Sequence, residues 1–161
     1  MNHKTTDLCD IHRDKVIIAE PIGFKDYGGN KSFSGIIYTV KCFEDHAPVE
    51  KILETDGNGK VLVVDGGGSM HCAITGDRLA GIAVKNHWNG IVIYGCIRDS
   101  ATIALLNLGV KALNTYPISN ETTIEWEENI EVSFARVTFI PGQFICCDED
   151  GIIILPTEPT I

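Results

Sequence analysis

No apolar run in this 161-residue chain approaches the ~20 residues that a membrane-spanning helix requires. The opening segment, Met1 to Lys15, is too polar to be the apolar heart of a signal peptide. These absences predict a soluble, cytoplasmic protein. Positive charge is also scarce, with 13 Lys and Arg against 22 Asp and Glu and a net charge of -9. Binding to a nucleic-acid backbone depends on Lys and Arg neutralising phosphates, so a direct nucleic-acid partner is not expected. HExxH and CxxC spacings are missing, which leaves His3, His12, His46, His71 and His87 scattered and argues against a zinc centre. GxGxxG, GxxxxGK[ST] and GxSxG are missing too, so neither a phosphate-cradling loop nor a serine-hydrolase elbow is indicated. No repeat, low-complexity tract or Pro/Ser-rich linker divides the chain, and residues 1–161 read as one domain.

Cysteine is present at Cys9, Cys42, Cys72, Cys96, Cys146 and Cys147. Disulfide scaffolds are normally short secreted chains with small cores, so reduced thiols are the better reading. The adjacent Cys146 and Cys147 should point to opposite faces of a strand, one of them filling the core.

The middle of the chain is the most legible part. Lys60 to Asp65 is a β-branched run ending in Gly66-Gly67-Gly68, a buried strand entering a tight turn, and Gly90 to Gly95 repeats that design. Between them, Asp77 to Trp88 carries Leu79, Ile82, Ala83 and Val84 at helical spacing behind an Asp cap. Arg98-Asp99-Ser100 opens a second apolar helix containing Ile103, Leu106 and Leu108, and Gly109 to Leu113 follows as a strand. This is a parallel β-α-β-α-β core with right-handed crossovers. Ser34 to Phe43, Ile130 to Ile140, and the hairpin pattern from Phe144 to Leu155 around Asp148-Glu149-Asp150-Gly151 predict a second β layer. The expected class is a single α/β domain with additional mixed strands.

Ligands of open α/β sheets collect beyond the carboxyl ends of the strands. Two loops lie at such ends, and parallel pairing of their strands would bring Asp77, Arg98 and Asp99 to one small ligand. The start of the helix at Gly76, Asp77, Arg78 and Leu79 offers unpaired N–H groups to a carboxylate. Arg98 supplies a planar, always-charged fork to a carboxylate or enolate oxygen. Asp99 is a hard oxygen ligand for Mg²⁺ or Mn²⁺, with Asp77 acting through water. Taken singly, each has a plainer reading: Asp77 and Asp99 as helix caps, Arg98 as an ion-pair partner. Lys41, in an apolar run, would serve a Schiff-base aldolase only if desolvated, and solvent or an ion pair is the better expectation. Ser69 lacks the surroundings of a nucleophile.

Thr39 to Asp45 (TVKCFED), Val61 to Ser69 (VLVVDGGGS) and Val92 to Arg98 (VIYGCIR) closely resemble the regulator of ribonuclease activity A (RraA) family. Leu8 to Ile11, Val137 to Phe139 and Asp150 to Ile153 extend the likeness over nearly the whole chain. The resemblance implies a swivelling β/β/α sandwich, a homotrimer, and one of two functions. One is a divalent-metal-dependent 4-hydroxy-4-methyl-2-oxoglutarate aldolase that also decarboxylates oxaloacetate. The other is a regulator that inhibits an RNase E-type endonuclease, binding it or its helicase partner.

The aldolase branch is marked by an Asp followed, after twenty residues, by Arg-Asp, and Asp77 with Arg98-Asp99 keeps that spacing. By resemblance, the backbone of Gly76 to Leu79 holds the 2-oxo acid carboxylate and Arg98 the keto or enolate oxygen. Asp99 holds the metal, and Asp77 orients metal-bound water. Thr102 stands where some aldolase members carry an acid, and the wording of Lys41 to Asp45 and Val61 to Ser69 looks closer to the regulator branch.

Overall fold

A parallel run of strands and an antiparallel one share a single sheet in the computed structural model, which describes residues 3–122 and 124–160. In chain order the first elements are α1 (Thr5–Ile11), β1 (Ile17–Ile18), β2 (Lys25–Asp26), β3 (Phe33–Lys41), α2 (Ala47–Leu53), β4 (Val61–Asp65) and α3 (Asp77–Lys85). There follow β5 (Gly90–Ile97), α4 (Ser100–Ile103), β6 (Gly109–Thr115), β7 (Glu127–Glu128), β8 (Val132–Phe134), β9 (Val137–Phe139), β10 (Phe144–Asp148) and β11 (Gly151–Leu155).

The strand order is β1-β11-β10-β3-β4-β5-β6-β2, with β7 on the end of β3. β3 is the joint: Phe33 to Ile36 pair antiparallel with β10, while Ile37 to Lys41 pair parallel with β4. β4, β5 and β6 continue in parallel. No helix among the described residues is long and apolar enough to cross a membrane.

Alternation along each strand assigns its residues to two cores. Leu62, Val64, Ile91, Ile93, Val110 and Ala112 face α2, α3 and α4. Val61, Val63, Val92, Ile145, Ile152 and Ile154 face the other way, onto the β8–β9 hairpin with Phe134 and Phe139. Over the antiparallel half, Leu8 of α1 covers Phe144, Cys146, Ile153 and Leu155. Hairpin, sheet and helices therefore form the expected β/β/α layering. Each fully buried Ile or Leu in it contributes roughly 1.5–3 kcal/mol.

Several elements depart from the sequence expectation. The segments Ser34 to Phe43 and Phe144 to Leu155 join the main sheet as β3 and β10–β11 instead of a second layer, which among the described residues β8–β9 alone forms. The helix from Asp77 stops at Lys85, because His87 turns to φ 65° and Trp88 folds back to donate its indole N–H to the Thr55 carbonyl at 3.1 Å. The helix after Asp99 is a single turn ending at Ile103. Its continuation is lost because the Leu106 carbonyl accepts from Gly29 N–H and the Leu108 carbonyl from Asn30 N–H. Two helices have no counterpart in the sequence expectation, α1 and α2. α2 has its signal in Pro48 ahead of Val49, Ile52 and Leu53, and α1 rests on one buried leucine.

Cys146 and Cys147 do point to opposite faces, and both are buried because α1 covers one side and β8–β9 the other. All six cysteines are free thiols.

α1 lacks a side-chain cap of its own. Asp148 supplies one across the fold, accepting from Thr5 N–H at 2.8 Å and the Thr5 hydroxyl at 2.7 Å. Burial pushes the Asp148 carboxyl up, but these bonds and those from Asp150 and Gly151 N–H outweigh it and hold it below its ordinary value. Folding thus favours the carboxylate. Its contribution is complete above the unfolded pKa of about 4 and is lost as pH falls through the lower native value. Asp148→Asn should cost about 1.5 kcal/mol at pH 7. Urea midpoints should show that difference shrinking toward pH 2; a gap that stays constant with pH would refute the carboxylate's role.

Candidate active site

The loop after β4 doubles back along its neighbour. Gly67 and Gly68, both at φ 70°, make the turn, and the N–H groups of Gly66 and Gly68 donate to the Tyr94 carbonyl. Ala73 then bridges Cys96 in parallel, Ile74 N–H donates to the Cys96 carbonyl at 3.0 Å, and Arg98 N–H to the Thr75 carbonyl at 3.0 Å. These bonds extend the sheet past the end of β4 and set Gly76 to Leu79 beside Arg98 and Asp99. The adjacency expected from parallel pairing is present.

Asp99 is the pivot. It sits in the left-handed region at φ 59°, which Asp tolerates better than most residues, and its carbonyl starts α4. Its side chain does not cap α4; Oδ2 accepts from Asp77 N–H at 3.1 Å and so caps α3. The cap expected at Asp77 is thereby corrected: Gly76 occupies the cap position, and Asp77 is the first helical residue. A Cβ on Gly76 would lie 2.8 Å from Asp99 Oδ2 and 3.3 Å from Arg98 Cγ, so the carboxylate occupies space that only glycine leaves.

Arg98 and Asp77 are exposed at the cleft, and Arg98 makes no ion pair among the described residues. Arg78 offers only its backbone, since its guanidinium grips Glu50 of α2 through both carboxylate oxygens and holds that carboxyl below its usual range. Leu79 is buried and anchors the turn in the helical core.

The cleft, about 50 Å³, is lined by these residues together with Thr75, His46 and Ser119. Roomier hollows of about 460 and 430 Å³ lie elsewhere, but neither sets an arginine and a carboxylate at a helix N-terminus. No motif spacing links His46 or Ser119 to Arg98, so the sequence alone does not place them in the site. His46 Nδ1 donates to the Asn120 carbonyl at 2.8 Å and lies 3.2 Å from Ser119 Oγ. A carbonyl carries no proton, so the hydrogen belongs to Nδ1, and Ser119 is not activated by a base there.

The rival chemistries lose their residues. Lys41 is exposed. The buried lysine is Lys111, neutralised at 2.9 Å by Asp26 on the neighbouring strand. Ser69 donates to Glu44 at 2.8 Å. Burial pushes the thiols of Cys42 and Cys146 up to about 12 and raises those of Cys72, Cys96 and Cys147, so they stay protonated.

No cluster of three or more His, Cys, Asp or Glu suited to a metal occurs among the described residues. Such a cluster is what zinc would need. A hard cation that keeps its waters and takes further oxygens from its substrate requires only one or two carboxylates. Asp99 fits that demand: its second oxygen is uncommitted among the described residues, and Asp77 stands beside it.

Residues 5–154 match the RraA-like family, described as Aldolase/RraA. A protein of Pseudomonas fluorescens provisionally named 4-hydroxy-4-methyl-2-oxoglutarate aldolase is 52% identical over 98% of this chain and 96% of its own. A solved structure from Geobacillus kaustophilus, named an S-adenosylmethionine:2-dimethylmenaquinone methyltransferase, superposes with a TM-score of 0.94 at 41% identity over 97% and 96% of the two chains. The RNA-processing inhibitor RraA from Thermus thermophilus gives 0.93 at 38% identity over 99% and 96%.

Proposed function

Because the chain belongs to the RraA-like family, we propose that its cleft cleaves 4-hydroxy-4-methyl-2-oxoglutarate to pyruvate by a divalent-metal-dependent retro-aldol reaction, with oxaloacetate decarboxylation as a side activity. The observation that carries this reading is the convergence of Arg98, Asp99 and the N-terminus of α3 on one cleft. The aldolase names of relatives near 50% identity support it. The methyltransferase name of the Geobacillus protein is not carried over: the glycine turn packs against Phe43 and Tyr94 and lacks GxGxxG spacing.

In this reading the backbone N–H groups of Gly76, Arg78 and Leu79, with Asp77 N–H held by Asp99, and the positive end of α3 bind the 2-oxo acid carboxylate. Arg98 places its charge at the keto oxygen, where negative charge grows as the C3–C4 bond breaks. Asp99 holds Mg²⁺ or Mn²⁺, which when bound supplies Lewis-acid polarisation of the keto group. Asp77 orients water at the rim of the cleft. Exposed Phe43, Met70 and Ile118 lie near this end of the sheet and support assembly as a homotrimer.

The test is pyruvate release from both substrates with Mg²⁺ or Mn²⁺, each against a metal-only control. Turnover well above that control, abolished by a chelator, is the expected result; rates equal to the control would end the assignment. A second reading, inhibition of an RNase E-type endonuclease through that enzyme or its helicase partner, draws on the whole-chain match to the Thermus inhibitor. It predicts binding that is unaffected by loss of the Asp99 charge.

A further inference from the structure

His46 lines the cleft, yet the reading above leaves it without a task. It sits between the end of β3 and the start of α2, where its backbone N–H and its ring Nδ1–H both donate to the Asn120 carbonyl, at 3.2 and 2.8 Å. The segment carrying that carbonyl is itself tied down. Ile118 accepts from Ala73 N–H at 2.8 Å, and Thr122 donates to the buried Asp45 carboxylate at 3.2 Å. Asp45 also accepts from Ala47 N–H at 3.0 Å, which locks the start of α2.

The ring is therefore held in one orientation and, when neutral, in one tautomer: hydrogen on Nδ1, lone pair on Nε2. Nε2 has no partner among the described residues and is not sealed from solvent. A cleft-lining histidine anchored through Nδ1 to a carbonyl, with Nε2 uncommitted among the described residues, has the form of a proton acceptor.

We propose that His46 Nε2 takes the proton of the substrate's 4-hydroxyl group in retro-aldol cleavage, a role that rests on the aldolase reading above. The O–H pair becomes the new C4=O bond and the C3–C4 bond breaks. Its electrons form the C2–C3 enolate, whose oxygen faces Arg98. The proton on Nε2 is then delivered to C3, which completes the second pyruvate and restores the ring. No oxidant or reductant is needed, and proton acceptance falls to a fixed ring.

Oxaloacetate decarboxylation has no hydroxyl proton to remove, so it provides an internal reference. His46→Asn keeps an amide N–H in place of Nδ1–H for Asn120 and removes the distal half of the ring, Nε2 included. Wild type and variant should be assayed on both substrates, with thermal midpoints recorded. The expected result is a fall of about 10²–10⁴ in the ratio of retro-aldol to decarboxylation kcat, the usual worth of a general base. An unchanged ratio overturns the assignment, whether both rates fall together or neither moves. Wild type inactive on both substrates would instead overturn the aldolase reading, and this assignment with it. Should His46→Asn fail to fold, His46→Gln, which places an amide near the Nε2 position, is read by the same ratio.

Discussion

Asp99→Asn should abolish pyruvate release while leaving the fold in place. Asparagine accepts the left-handed backbone at φ 59° and can still accept from Asp77 N–H, so α3 keeps its cap. What it lacks is the negative charge that a hard cation needs. Mn²⁺ affinity measured by calorimetry should fall along with turnover, and a variant that binds Mn²⁺ and turns over like wild type would remove Asp99 from the site.

Arg98→Lys tests the neighbouring group. It retains a charge but not the planar fork, and the loss of an oriented donor at a developing oxyanion is worth about 10²–10³ in kcat. Gly76→Ala probes their packing. Its backbone, at φ -131°, suits any residue, but the added methyl would sit 2.8 Å from Asp99 Oδ2 and push it aside. Activity should suffer in that variant far more than its unfolding midpoint.

Phe33 governs the largest expected effect on stability. Its ring covers Gly90 and Gly109, which are partners across β5 and β6; a Cβ on Gly109 would lie 2.0 Å from Cδ1, and one on Gly90 2.2 Å from Cδ2. Phe33→Ala should cost about 3–5 kcal/mol through the cavity it leaves. Gly109→Ala should cost about 1–3 kcal/mol or more, because a ring wedged between strands cannot swing away as a flexible chain end would. Together they should cost less than their sum by about 1–3 kcal/mol, since removing the ring makes room for the methyl. Urea midpoints of the four proteins decide this, and strict additivity would show that ring and glycines do not compete for the space. Against a total stability of roughly 5–15 kcal/mol, either single change is severe.

Much of this was legible in the chain. Val61 to Val64 and Gly90 to Ile97 are continuous runs without charge because both faces of their strands are covered, and the Asp77, Arg98 and Asp99 spacing reflects their parallel pairing. The ends of the helices were harder. Lys85 and Ile103 stop where Trp88 folds back and where the Leu106 carbonyl meets Gly29, partners set by distant segments.

Residue order alone determined the α/β class, the family, and the candidate trio Asp77, Arg98 and Asp99, because hydrophobic period and motif spacing are local properties. Only the tertiary structure decided that Asp99 caps α3, that Arg78 spends its side chain on Glu50, and that His46 enters the cleft with Nδ1 held by Asn120. Each of those contacts joins residues 22 to 74 positions apart. A hydrogen bond acts over about 3 Å of space, however many residues separate its ends.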